Sequence, residues 1–223
     1  MMIINSPGGD GLAAERIINI CRSYSNDRFE VIVPKKAKSA ATMICMGASK
    51  ILMSKTAELG PIDPQIVRGK RLVSAHNIIK SYEELLENAI NTKGNLEPYL
   101  QQLQRYDAAE IVHYKTLQAL TKDIATRALS TGMLKAIPSD EIERKIEVFL
   151  DPERTSSHGR PINIEAAVRS GLNVEEIKLT DEIWPLVWEL YIRADWCMAD
   201  RCSKLVETRD HSFRTPRISR RSS

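Results

Sequence analysis

Two short stretches carry the residue types that acyl transfer needs. Ser6-Pro7-Gly8-Gly9 follows the apolar run Met1 to Asn5, and Lys38-Ser39-Ala40-Ala41-Thr42 leads into another apolar run. Paired glycines let a backbone approach a ligand closely and turn its N–H groups towards it. Donors so placed stabilise the negative charge that grows on a carbonyl oxygen under attack. Pro-Gly-Gly is also an ordinary strand-to-helix turn, and Gly9-x-Gly11-x-x-Ala14 fits a dinucleotide fingerprint. That fingerprint calls for an acid at the end of the next strand, where Val33-Pro34-Lys35-Lys36 offers none. Ser39 has two roles open to it. It can cap the helix that follows. It can also be a nucleophile, with the partial positive charge and unpaired N–H groups of the helix start beside its hydroxyl.

Positioning these residues requires strands and helices in alternation. Met1 to Asn5 reads as a short strand and Leu12 to Ser25 as an amphipathic helix, with Leu12, Ala13, Ile17, Ile18, Ile20 and Cys21 at helical spacing. Phe29 to Val33 is rich in β-branched residues and reads as a strand. Ser39 to Ser49 is apolar on almost every side, the pattern of a buried helix. Ile51 to Met53 makes a third strand. This order predicts parallel pairing in an α/β layer fold. Glu58 to Gln65 is a loop punctuated by Gly60, Pro61 and Pro64. Helices are expected from Ser74 to about Gly132, from Pro138 to Phe149, near Asn163 to Ser170 with Gly171 as C-cap, and from Thr180 to Trp196.

The expected organisation is a core over residues 1–73, a helical part over 74–199 that completes the domain, and a basic, disordered tail over 200–223. Seven basic and two acidic residues give Arg201 to Ser223 a charge of +5, against +3 for the whole chain. Such a tail has too few large apolar residues to order itself. It lacks aromatic interleaving, so no nucleic-acid partner is expected. No apolar run reaches membrane-spanning length. A parallel strand at the very start of a chain lacks a neighbour on one side, so the sheet is expected to be missing N-terminal strands or to borrow cover from a partner. A membrane tether is expected only on such a missing segment, and the localisation expected is cytoplasmic. Cys21, Cys45, Cys197 and Cys202 form no zinc-type cluster, so reduced thiols, no metal and no cofactor are expected.

Taken in order, Asn5-Ser6-Pro7-Gly8-Gly9-Asp10-Gly11, Lys38-Ser39-Ala40-Ala41-Thr42 and Leu59-Gly60-Pro61-Ile62-Asp63-Pro64-Gln65 resemble the signal-peptide-peptidase-like serine peptidases of the ClpP/crotonase superfamily. Within these, the sequence is most similar to the serine dehydrogenase proteinase branch. Ser157-His158-Gly159-Arg160-Pro161-Ile162, Glu165-Ala166-Ala167 and Gly171-Leu172 also look like that branch. The likeness covers residues 1–80 well and 155–175 loosely. It implies a ClpP/crotonase-like layered sheet and a serine peptidase acting on a peptide or protein substrate, with homo-oligomers common among the relatives. It further implies Ser39 as nucleophile and Gly8 and Gly9 as the oxyanion hole, completed by the Ala40 N–H.

A serine hydroxyl is inert without a proton acceptor. Archaeal relatives in the resembling group use a lysine about 40 residues after the serine, which points to Lys80. Neutralising a lysine near pH 7 costs about 4 kcal/mol, supplied by burial among apolar groups. Ile78 and Ile79 offer such surroundings, whereas Glu83 and Glu84, one turn on, offer an ordinary ion pair. ClpP-type enzymes place histidine about 25 residues after the serine, where this chain has Pro64. His76 and His158 are the alternative bases, since imidazole titrates near neutrality unaided. Asp63, before Pro64, is expected to shape a turn. A crotonase-type acyl-CoA enzyme or a non-catalytic member of the fold are the competing expectations.

Overall fold

The computed structural model describes residues 1–26, 28–69, 71–150 and 161–217, which form two compact units divided after Glu176. The first unit is built on a sheet of order β1-β2-β4-β8: β1 (Met2–Ile3), β2 (Glu30–Val33), β4 (Lys50–Ser54) and β8 (Val174–Ile177). β1 and β2 pair in parallel, as do β2 and β4, with Ile32 opposite both Ile3 and Leu52. Val31, Ile32 and Val33 are wholly buried, as a central parallel strand requires.

Between β1 and β2 runs α1 (Gly11–Ser25), capped by Asp10, whose carboxylate accepts the Ala13 N–H at 2.7 Å. β3 (Lys36–Ala37) leads into α2 (Ala40–Gly47), in which all eight residues are buried. The helix is apolar all round because α1 and α5 (Ala108–Ser130) pack beside it. Arg22 ties the same three helices together, donating to Gly47 O and Ala128 O and to Thr131 Oγ1. α6 (Ser139–Leu150) packs on α5 and closes the core with Ile142, Ile146 and Phe149.

β5 (Glu58–Leu59) pairs in parallel with β3, and Leu59 bridges to Ile162 just before α7 (Ile164–Arg169). The stretch after the Pro/Gly loop, to which the sequence assigned no element, forms an antiparallel hairpin, β6 (Gln65–Arg68) with β7 (Arg71–Ser74). Ser74 then caps α3 (Ala75–Asn91), followed by α4 (Glu97–Leu103). Ala75, Ile78 and Ile79 of α3 make a second cluster with Ile111 and Tyr114 of α5, separate from the main core.

The second unit, Ile177 to Ser223, contains α8 (Ile183–Asp200), β9 (Cys202–Glu207) and β10 (Ser212–Pro216). The basic tail therefore departs from the disorder its composition suggests: Phe213 pairs with Val206 and Arg214 with Leu205 in an antiparallel ladder. A hairpin satisfies its backbone locally without needing a large core, and Thr208 closes the turn by accepting the His211 N–H. Residues 218–223 lie outside the described residues. No helix among the described residues is long and apolar enough to cross a membrane.

Candidate active site

A two-bond ladder brings the glycines to the serine. Ser6 N–H donates to Lys36 O at 3.0 Å, and Lys38 N–H donates to Ser6 O at 3.0 Å. The Pro7-Gly8-Gly9 turn is thereby laid against Lys38 and Ser39. Gly8 has φ +111°, and a Cβ built there would lie 2.7 Å from Ser39 Cβ, 2.8 Å from Lys38 O and 3.4 Å from Ala40 N. Only glycine accommodates both that backbone and that approach. The Gly8 N–H is occupied, donating to Ser6 Oγ at 3.1 Å. Gly9 N–H and Ala40 N–H have no backbone acceptor among the described residues. Ala40 opens α2, where no intrahelical partner exists for its N–H.

Ser39 adopts φ 50°, ψ −121°, and the Ala41 N–H donates to Lys38 O at 3.0 Å. These values define the second residue of a type II′ turn, a position dominated by glycine. A non-glycine residue held there stores about 1–3 kcal/mol, and such strain clusters at functional sites. The Ser39 side chain makes no capping bond to the helix. Of its two roles, the cap is thus unused, while the hydroxyl stands at the head of a buried helix on a strained turn.

Residues to which the sequence assigned no role of their own hold this turn in place. Thr42 is fully buried; its Oγ1 donates to Ala37 O at 2.7 Å or Gly60 O at 2.9 Å and accepts the Gly60 N–H at 3.1 Å. It joins the first turn of α2 to both β3 and the Gly60 loop. The Ser39 N–H donates to Pro61 O at 3.2 Å in the same loop. Lys38 reaches Glu58 at 2.9 Å and Leu59 O at 3.2 Å. The available signal was a lone hydroxyl in an otherwise apolar helix. Thr42→Val keeps the shape and strands the Gly60 N–H in the core, so it is expected to cost about 2–3 kcal/mol. Urea unfolding of the two proteins measures this directly, as a lower midpoint at unchanged slope.

Two of the candidate bases, Lys80 and His76, are on α3. Lys80, on α3, pairs with Glu84 at 3.7 Å with 42% of its side chain exposed, so it lacks the burial a neutral lysine requires. His76 sits in the first turn of α3, directly after Ala75, whose N–H donates to Pro64 O. Its own backbone N–H donates to Asp63 Oδ1 at 3.4 Å. Asp63 is 1% exposed and also accepts from Gln65 Nε2 at 2.9 Å, which makes it a support for the loop. His158 lies outside the described residues. Ser39, Gly8 and Ala40 are gathered at one point, with Gly9 next in the chain, while Lys80 is on α3 with Glu84 as an ion-pair partner.

A parallel sheet with helices packed on it, as here, is consistent with a ClpP-like α/β fold. The sequence profile of the ClpP-like SDH-type serine proteinases matches residues 1–203, and the chain belongs to that family. It is also similar to two proteins of Methanocaldococcus jannaschii. With the uncharacterized protein MJ0137 it shares 30% identity over 196 residues, 85% of this chain and 57% of that protein. With the uncharacterized protein MJ1495 it shares 40% identity over 65 residues, 29% of this chain and 22% of that protein. The chain thus spans little more than half the length of the first relative and about a fifth of the second.

Proposed function

We propose that this chain hydrolyses peptide bonds with Ser39 as nucleophile, and the observation that carries the reading is the strained, uncapped conformation of Ser39. The hydroxyl oxygen attacks the peptide carbonyl while a base takes its proton. The resulting oxyanion accepts hydrogen bonds from the Gly9 and Ala40 N–H groups, with Gly8 providing the close approach rather than a donor. The intermediate expels the amine, which receives the proton from the base. Water then attacks the acyl-serine as the base takes its proton, and the base returns that proton to the Ser39 oxygen as the acid product leaves. An acyl-CoA enzyme would gain nothing from storing strain at a serine, so the conformation supports the peptidase over the crotonase-type alternative.

For the base there are two assignments. The likeness to signal-peptide-peptidase-like enzymes supports a Ser-Lys dyad through Lys80, which would have to leave Glu84 and lose its solvent. The placement of His76 favours a second: it is tied through Asp63 to the loop whose Pro61 carbonyl receives the Ser39 N–H. Casein and peptide hydrolysis by single variants separates them. A true base, replaced by alanine, is expected to lose about 10⁴-fold in turnover, while the other variant stays within about tenfold of wild type. Loss in His158→Ala alone would overturn both assignments. Retention on immobilised CoA, with no peptide hydrolysis, would overturn the proposed function. A homo-oligomer, which the resemblance read in the sequence implies, is part of the proposal, and sedimentation would test it.

A further inference from the structure

Cys197 lies in the last turn of α8 and Cys202 opens β9, with Arg201 as the helix C-cap between them. The Arg201 N–H donates to Cys197 O at 2.9 Å, which turns the chain back over the helix end. This turn sets the two Sγ atoms 3.8 Å apart. Cys202 is 1% exposed, and its sulfur also lies 3.7 Å from Cys197 O and 3.7 Å from Met198 Sδ. Cys197 is half-buried and is the sulfur that solvent reaches first. A disulfide holds its sulfurs at about 2.05 Å, so closing the gap takes less than about 2 Å of side-chain movement.

We propose that Cys197 and Cys202 are a redox pair, converted by a hydroperoxide into an intramolecular disulfide that fastens β9 to the end of α8. The Cys197 thiolate attacks a peroxide oxygen, the O–O bond breaks, and Cys197 becomes a sulfenic acid with release of water or alcohol. The Cys202 thiolate then attacks Cys197 Sγ and displaces hydroxide, which takes up a proton as water. Two thiols are oxidised, one peroxide is reduced, and two hydrogens leave the protein. The remaining cysteines do not share this setting: Cys45 is wholly buried within α2 and Cys21 lies on α1, both in the first unit. The bond would hold β9, and through the ladder β10, against opening at Cys202.

Trypsin provides the test because it cleaves at Arg193, Arg201 and Lys204, cutting between the two cysteines. The reduced full chain is treated with hydrogen peroxide, quenched, alkylated and digested. The expected product is peptide Ala194 to Arg201 joined to peptide Cys202 to Lys204, separable only by reduction, with the intact protein lighter by two hydrogens. Cys202→Ser is expected to stop at a Cys197 sulfenic acid that dimedone captures. Alkylation of both cysteines after peroxide, or a Cys197 sulfinic acid without the joined peptides, would overturn the proposal.

Discussion

Ser39→Ala is expected to lose about 10⁴-fold or more in peptide turnover while the chain stays folded. Alanine removes only the hydroxyl, and no capping bond is lost with it. Alanine also keeps the strain, since φ 50° is as unfavourable for it as for serine. Ser39→Gly should be equally inactive yet about 1 kcal/mol more stable than Ser39→Ala, because glycine occupies this backbone without penalty. The pair therefore separates chemistry from conformation. Equal activity loss with a gap in unfolding midpoint marks a serine held for reactivity at a cost in stability. Equal stability of the two variants would mean that the turn carries no strain.

Gly8→Ala carries the second large effect. Its methyl group would fall 2.7 Å from Ser39 Cβ and 2.8 Å from Lys38 O, closer than real Cβ contacts come. The φ of +111° is unfavourable for alanine as well. Neither neighbour is the mobile end of a long side chain, so the Pro7-Gly8-Gly9 turn must move away from α2. That motion displaces the Gly9 N–H from the proposed oxyanion position. Loss of one such donor typically costs about 10²–10³ in turnover. We expect Gly8→Ala to lose at least that much, with about 1–3 kcal/mol of stability. Gly9→Ala has open space around its Cβ and serves as the contrast, with little loss of stability. Turnover and urea midpoints of both variants check the difference.

The sequence carried the central layers plainly. Runs such as Val31 to Val33 and Ala40 to Gly47 are buried throughout and so declare themselves by composition. The short β6–β7 hairpin did not, because four-residue strands with exposed Arg68, Arg71 and Leu72 show no clear alternation. The fourth sheet strand, β8, was hidden by Glu175 and Glu176; Glu175 pairs with Lys50 on β4. The hairpin in the basic tail rests on backbone pairing and on a Glu207–Arg214 ion pair, neither of which composition reveals. At the site, Ser39 and the glycines were legible as residue types in order. The positive φ of Ser39 was not, because nothing in a serine announces a position that favours glycine. Nor could spacing place Lys80, whose surroundings depend on how α3 packs against α5.

The proposed role of Ser39 is that of a reactive nucleophile. A fluorophosphonate probe forms a stable bond only with a serine whose proton is removed and whose developing oxyanion is held. Incubating the protein with the probe and mapping the adduct by peptide mass spectrometry tests both halves of the site together. The prediction is a single adduct on Ser39, absent from Ser39→Ala and strongly reduced in Gly8→Ala. An unlabelled Ser39 in a folded protein, or labelling that persists in Ser39→Ala, would contradict it.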